Sequence, residues 1–365
     1  MTLKFAVLGA NGFIGGRTVE MFHLSNLAEV RPIVRHYSSL ARLSRFDLDC
    51  RIADAFDQDA LRDAFAGCDV VLQAVAGDSK TILDTLTPTY QAAQEAGVRR
   101  LIYLSTASVH GQIPKPGTDD NSPLSDEQPL PYNNAKVKAE RTLRQLHDNG
   151  ELELVILRPG IVFGPRSYWV ASFADGLLSG TAYLINRGKG ICNSIYVDNL
   201  VHAIYLAATR PHVDGEAFLV GDNETVTWAD LYEPIAQALG FDLAHLPEAA
   251  LLEPEPPTIL DRFDTIRASR PAQLFLSLFP MKLRQAAFTG LTALREPPPS
   301  PWTMPRPQQP VASLEMAMLF QCQYKLPHTK AAQRLGYEPP VSFSEGCRRT
   351  VAWLDFAGYP VSGRC

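Results

Sequence analysis

The sequence predicts an α/β fold: a doubly wound parallel sheet followed by a smaller, mostly helical C-terminal substrate-binding lobe. Three observations predict it. Short apolar runs alternate with amphipathic stretches over roughly the first hundred residues. The first run, Phe5-Ala6-Val7-Leu8, enters a turn with glycine at every third position. A later run, Asp69 to Ala76, is almost continuously apolar, as a parallel strand covered on both faces should be. Strands joined by right-handed helical crossovers build one parallel sheet.

The first strand, Phe5–Leu8, leads into Gly9-Ala10-Asn11-Gly12-Phe13-Ile14-Gly15 and a helix to about Phe22. Glycine there lets the backbone turn sharply and approach a pyrophosphate seated on the helix amino terminus. The strand before the turn and the helix after it make this a Rossmann-like dinucleotide site rather than an ordinary tight turn. Glu29 to Val34 reads as the second strand. Arg35 follows, where an NAD enzyme usually carries an acid for the ribose 2′-hydroxyl. Arginine can pair with a 2′-phosphate, and Arg17 at the start of the first helix can assist, so NADP is favoured with NAD as the alternative. The plainer reading makes both arginines solvated surface charges. Leu48 to Ile52 is the third strand; Asp54 after it is either an adenine contact or a turn residue. Asp57 is placed to cap the helix that follows.

A helix is expected from about Thr81 to Ala96, and a fifth strand over Arg100–Leu104. That strand ends in Ser105-Thr106-Ala107-Ser108-Val109-His110-Gly111, followed by a polar, proline-bearing loop from Gln112 to Pro131. Tyr132 and Lys136 then open a helix on one shared face. An ammonium beside a phenol favours the phenolate, so Tyr132 is expected to exchange protons nearer neutrality than its free value of about 10. A strand-end hydroxyl, a tyrosine and a lysine together can move a proton to or from a carbonyl or alcohol oxygen. The sixth strand, Leu154–Leu157, runs into Arg158-Pro159-Gly160-Ile161-Val162, where Pro159, Val162 and their neighbours can offer backbone groups to a nicotinamide amide.

The last third is less regular. Ile195-Tyr196-Val197-Asp198 precedes a helix through Ala208, with Asp198 as a possible cap; Phe218–Val220 is a short strand; helices follow from about Trp228 to Leu239 and from Phe343 to Phe356. Proline clusters bound a segment at about 246–310 that holds apolar pieces within 271–294. It reads as a cap that lines an apolar substrate pocket, packs on a dimer partner or a membrane surface, or only fills its own core. Residues 1–165 are thus expected to be the dinucleotide-binding core and 166–365 a substrate-binding lobe interleaved with it.

Composition excludes several function classes. The 365 residues are 46% hydrophobic and 20% charged, an ordinary globular mixture. A net charge of −5 leaves no broad basic field for nucleic acid. The six cysteines are scattered with no CxxC pair, which indicates neither a zinc site nor a disulfide framework and fits a reducing, cytoplasmic compartment. No signal peptide is read at the amino terminus, and no apolar run approaches the roughly 18–20 residues of a membrane span.

Gly9-x-x-Gly12-x-x-Gly15, Thr106, Tyr132-x-x-x-Lys136, Arg158-Pro159 and Tyr196-Val197-Asp198 occur in one order at family spacing. Together with Leu335-Gly336-Tyr337-x-Pro339 and Phe343-x-Glu345-Gly346, they resemble the extended short-chain dehydrogenases/reductases of the NAD-dependent epimerase/dehydratase type. The resemblance spans about 3–240 and 325–356 and leaves the insert uncovered. It implies that Thr106 hydrogen-bonds the reacting oxygen, that Tyr132 is the general acid/base, and that Lys136 holds the nicotinamide ribose and lowers the tyrosine pKa. It also implies a homodimer through a helix pair.

Departures from the family narrow the chemistry. Ala107-Ser108 stands where sugar dehydratases carry Asp-Glu, so elimination of water is discounted. Cys192 stands where sugar-nucleotide members often carry an arginine for the diphosphate, although Arg166 or Arg187 can substitute. The expected activity is therefore NAD(P)-dependent interconversion of a secondary alcohol and a ketone on an apolar or natural-product small molecule. A nucleotide-sugar epimerase with bound NAD is the alternative. A dinucleotide sensor has no use for an activated phenol. His110 either faces the substrate or packs in its loop.

Overall fold

The computed structural model describes residues 2–148, 150–249 and 310–362. The chain divides into two units, Met1–Glu248 with Glu315–Cys365, and Ala249–Leu314. The expected insertion at about 246–310, with its apolar pieces in 271–294, lies almost wholly outside the described residues.

The first unit is organised on a seven-stranded parallel sheet. Its strands are β1 (Lys4–Leu8), β2 (Glu29–Val34), β3 (Arg51–Ile52), β4 (Val70–Gln73), β5 (Arg100–Leu104), β6 (Glu153–Pro159) and, after three short strands, β10 (Ala217–Val220). Their spatial order is β3-β2-β1-β4-β5-β6-β10. The order reverses between β1 and β4, and a crevice opens at the carboxyl ends of strands at such a point. All four residues of β4 and all five of β5 are buried, because helices cover both faces.

Helices α1 (Phe13–Leu24) and α7 (Val197–Thr209) lie on one face, where Phe5, Phe22, Leu200 and Ile204 share a core. On the other face lie α2 (Gln58–Phe65), α4 (Leu86–Glu95) and α5 (Pro131–Asp148), packed through Leu61, Tyr90, Ala139 and Leu143. Asp57 caps α2 as expected, accepting the Ala60 N–H at 3.0 Å. The single helix expected over 81–96 is two, α3 (Ser79–Asp84) and α4, with Thr85 between them. The Thr85 hydroxyl donates to the Thr81 carbonyl at 2.9 Å, a local bond that competes with regular helix.

Sequence reading missed β7 (Ile161–Phe163), which pairs with β9 (Ser194–Tyr196), and β8 (Ile191–Cys192), which pairs with β11 (Val226–Thr227). At two or three residues each, they are too short to carry a period. Helix α6 (Tyr168–Ser179) was also missed. Helix α8 (Trp228–Ala238) starts at a Thr227–Asp230 capping box, which holds its first turn. Three helices close the unit: α9 (Leu314–Leu319), α10 (Thr329–Leu335) and α11 (Phe343–Phe356). Gly346 on α11 is obligatory, because an added Cβ would come within 2.8 Å of the Tyr196 ring.

Candidate active site

Two cavities meet at the glycine turn. The first, of about 540 Å³, is lined by Gly9, Asn11, Gly12, Phe13, Ile14 and Gly15, then by Arg35, Ser39 and Asp54. Gly9 adopts φ +90°, which favours glycine, and a Cβ on Gly15 would lie 2.4 Å from the Gly9 carbonyl oxygen. Gly12 leads into α1 with no side chain capping the helix, so amide donors there remain for a phosphate. These residues fit a dinucleotide: a tight glycine turn with open helix amides suits a pyrophosphate, and Arg35 and Asp54 line the same cavity. Asp54 also makes the expected turn, accepting the Phe56 N–H at 3.1 Å.

Arg17 is a correction. It does not wait for a 2′-phosphate. Its Nε and Nη2 donate to Asp198 at 2.6 and 2.9 Å, and Nη1 lies 3.2 Å from Glu20. Asp198 is corrected with it: its carboxylate ties α7 to Arg17 and to Arg349, 3.2 Å away, and makes no cap hydrogen bond.

The second cavity, of about 550 Å³, adjoins the first through Phe13 and Ile14. Thr106, Tyr132, Pro159 and Val162 all line it, so the structure brings these predicted residues to one wall. Thr106 lies two residues past β5 and caps the short turn Ala107–His110, and its Oγ1 lies 2.8 Å from Ser108 Oγ. Close approach of Asn193 decides the shape nearby. A Cβ on Gly160 would sit 1.9 Å from the Asn193 carbonyl oxygen. The Asn193 side chain in turn accepts the Leu326 N–H at 2.7 Å.

Lys136 lies under the wall, 4% exposed, and donates to the Leu104 carbonyl at 2.7 Å and to the Tyr103 hydroxyl at 3.2 Å. Burial pushes its ammonium down to about 8, opposed by Glu140 one turn on. The expected lowering of the Tyr132 pKa does not occur in this structure. Tyr132 opens onto the cavity, yet desolvation, followed by the charge of Glu315, pushes its phenol up to about 12. The Lys136 charge is directed instead at the end of β5 and at Tyr103.

His110 packs rather than facing the cavity. Its Nε2 lies 3.3 Å from Arg158, and burial together with that guanidinium pushes it down to about 4, so it is neutral at pH 7. The residues expected to replace a diphosphate ligand are elsewhere. An added Cβ on Gly16 of α1 would lie 3.6 Å from Arg166 Nη1, so that guanidinium lies over α1. Arg187 donates to the Ala244 carbonyl at 3.2 Å and pairs with Glu248. Cys192 is buried behind Ile191 and Asn193, which do line the cavity.

Sequence reading missed Ser108, Gln112, Trp169, Trp228 and Glu315, all of which line this cavity. Ser108 and Gln112 lie just after Thr106, and that nearness was the available signal. Glu315 lies in a stretch with no motif at all.

A family model, the NAD dependent epimerase/dehydratase family, matches residues 5–221. The chain belongs to this family. It is an enzyme family, and the glycine turn, Thr106 and the Tyr132–Lys136 pair fall inside the matched span. The chain is 24% identical to the 3β-hydroxysteroid-dehydrogenase/decarboxylase isoform 1 of Arabidopsis thaliana, across 94% of this chain and 78% of that protein. It is 26% identical to the N-acetyl-α-D-glucosaminyl-diphospho-ditrans,octacis-undecaprenol 4-epimerase of Escherichia coli O157:H7, across 66% and 74%. Among solved structures, dTDP-glucose 4,6-dehydratase from Bacillus anthracis in complex with NAD is similar at a TM-score of 0.69 and 15% identity, covering 98% of this chain and 97% of that one. UDP-glucose 4-epimerase from Thermotoga maritima, with UDP-glucose, gives 0.64 and 21%, over 97% and 99%. These structures share the fold. Among the described residues, no helix is long and apolar enough to cross a membrane.

Proposed function

We propose that this family member interconverts a secondary alcohol and a ketone with NADP(H), NAD(H) being the alternative, on a largely apolar small molecule. The observation that carries this reading is the substrate cavity wall. Trp169, Trp228, Ile161, Ile191, Leu319 and Leu326 line it, and among the described residues no lysine or arginine does. A nucleotide sugar brings a diphosphate, which calls for cationic or bidentate partners. A hydrocarbon skeleton calls for apolar walls with a few placed polar groups, which this cavity supplies. The hydroxysteroid dehydrogenase name of the Arabidopsis relative supports the same direction.

The nicotinamide, when bound, supplies or accepts the hydride. The chain does the rest. Gly9, Asn11, Gly12, Phe13, Ile14 and Gly15 cradle the pyrophosphate, Arg35 meets the 2′-phosphate, Asp54 the adenine, and Pro159 and Val162 the carboxamide. Thr106, held by Ser108, donates to the reacting oxygen. Tyr132 exchanges the proton with that oxygen, and Lys136 would hold the nicotinamide ribose by exchanging its bond to the Tyr103 hydroxyl for one to the sugar. With its pKa pushed up, the Tyr132 phenol is protonated at pH 7 and ready to donate to a ketone.

The test is to denature the purified protein, identify any dinucleotide released, and titrate the stripped protein with NADPH and NADH. An empty protein that prefers NADPH and reduces ketones supports the reading. Stoichiometric NAD together with turnover of a nucleotide sugar replaces it with epimerisation.

A further inference from the structure

Glu315 stands in the substrate cavity with Tyr132, Thr106 and Gln112. It comes from α9, roughly two hundred residues beyond the rest of the polar wall. Gln112, itself buried, donates from Nε2 to Glu315 Oε1 at 3.2 Å. That is the one hydrogen bond of the carboxyl among the described residues. A carboxylate has room for about four.

Burial raises the Glu315 pKa, and its charge is the second cause, after desolvation, of the raised Tyr132 pKa. The two groups therefore sense each other within one cavity. Among the described residues of the lining no lysine or arginine balances this carboxylate, and a part-buried charge with a single neutral donor is costly.

We propose that Glu315 is a specificity-determining residue, and that the substrate presents to it a second donor, a hydroxyl near the reacting carbon, with no anionic group there. The inference rests on the alcohol–ketone reading above and names its substrate class: a neutral, mostly apolar hydroxy ketone or diol. The hydroxyl completes the bonding of the carboxyl left open by Gln112. A substrate carboxylate or phosphate at the same place meets like charge and is rejected.

The test compares 2-hydroxy-1-tetralone, 1-tetralone and 1-tetralone-2-sulfonate, whose charge stands where the hydroxyl does. Binding of each to the protein saturated with NADP⁺ is measured by calorimetry, where no turnover occurs, and reduction by NADPH is followed separately. Wild type is expected to favour the hydroxy ketone over 1-tetralone by roughly 10- to 100-fold, the range for a hydrogen bond to a charged acceptor. In Glu315→Ala that ratio should fall to near one. In Glu315→Gln, which keeps an acceptor oxygen, part of the hydroxyl preference should remain while discrimination against the sulfonate weakens. NADP⁺ affinity of each variant checks its fold.

If wild type shows no preference, or if Glu315→Ala keeps it, the inference is overturned. If the binding ratio behaves as expected but no ketone is reduced, Glu315 stands and the oxidoreductase reading falls.

Discussion

Arg158 Nη2 donates to Glu140 Oε2 at 2.6 Å, and the two side chains are 3% and 1% exposed. A second bond runs from Arg158 Nε to Glu140 Oε1 at 3.0 Å, and Ser105 Oγ donates to the same oxygen at 2.6 Å. This buried fork joins β5, β6 and α5 one residue before Thr106 and one turn beyond Lys136. It sets the helix that carries Tyr132 against the strand that leads to Thr106. Glu140→Gln leaves a buried guanidinium without its counter-charge, so a loss of about 3–5 kcal/mol is expected in urea unfolding. Loss below about 1 kcal/mol would mean that the pair contributes little.

Tyr132→Phe removes only the phenolic oxygen at the cavity wall. Turnover is expected to fall by at least about a thousandfold, as for loss of a general acid together with its positioning. The dissociation constant for NADPH should change by less than about threefold. Steady-state kinetics and a fluorescence titration give both values, and retained activity removes Tyr132 from the chemistry.

Arg35→Asp places a carboxylate in the cavity that the glycine turn lines, where the proposed 2′-phosphate contact is made. The ratio of kcat/KM for NADPH over NADH should drop by a factor of about 100 or more, because a charge-assisted pair becomes a repulsion. Arg17 is held by Asp198 and cannot compensate. An unchanged ratio excludes Arg35 from cofactor choice.

Gly15→Ala drives a methyl to 2.4 Å from the Gly9 carbonyl oxygen. The turn must open, and dinucleotide affinity is expected to fall by at least tenfold while thermal stability falls modestly, by about 1–3 kcal/mol. Unaltered affinity would show that the turn does not bear the pyrophosphate.

The neutral, packed His110 makes stability depend on acid. Its folded pKa is held at about 4, below the unfolded value near 6.5. Between these values the unfolded chain binds the proton first, so stability falls as pH drops from about 6.5 to 4. His110→Gln should remove roughly 1–2 kcal/mol of that fall when urea midpoints are compared at pH 7 and pH 5. Parallel pH profiles for both proteins would contradict the assignment.

Much of the sheet was legible because strand patterning is local. Glu29–Val34 and Arg100–Leu104 are found at the residues expected, as is the last helix, Phe343–Phe356. Apolar runs and glycine turns report backbone sterics and burial within a few residues, and those act at short range. The glycine turn was legible for the same reason. Short β7, β8, β9 and β11 exist only as pairs, and a lone two- or three-residue segment has no period to read.

The sequence by itself determined the chain order of the seven sheet strands, the glycine turn, and the residue types at Thr106, Tyr132 and Lys136. Only the tertiary structure decided which charges face which cavity. Arg17 is taken by Asp198, 181 positions away, and Gln112 holds Glu315, 203 positions away. Lys136 is turned to Tyr103 and the end of β5. The physical reason is that a charged side chain settles where desolvation and pairing balance. That balance is set by packing between elements far apart in the chain, which no local pattern encodes.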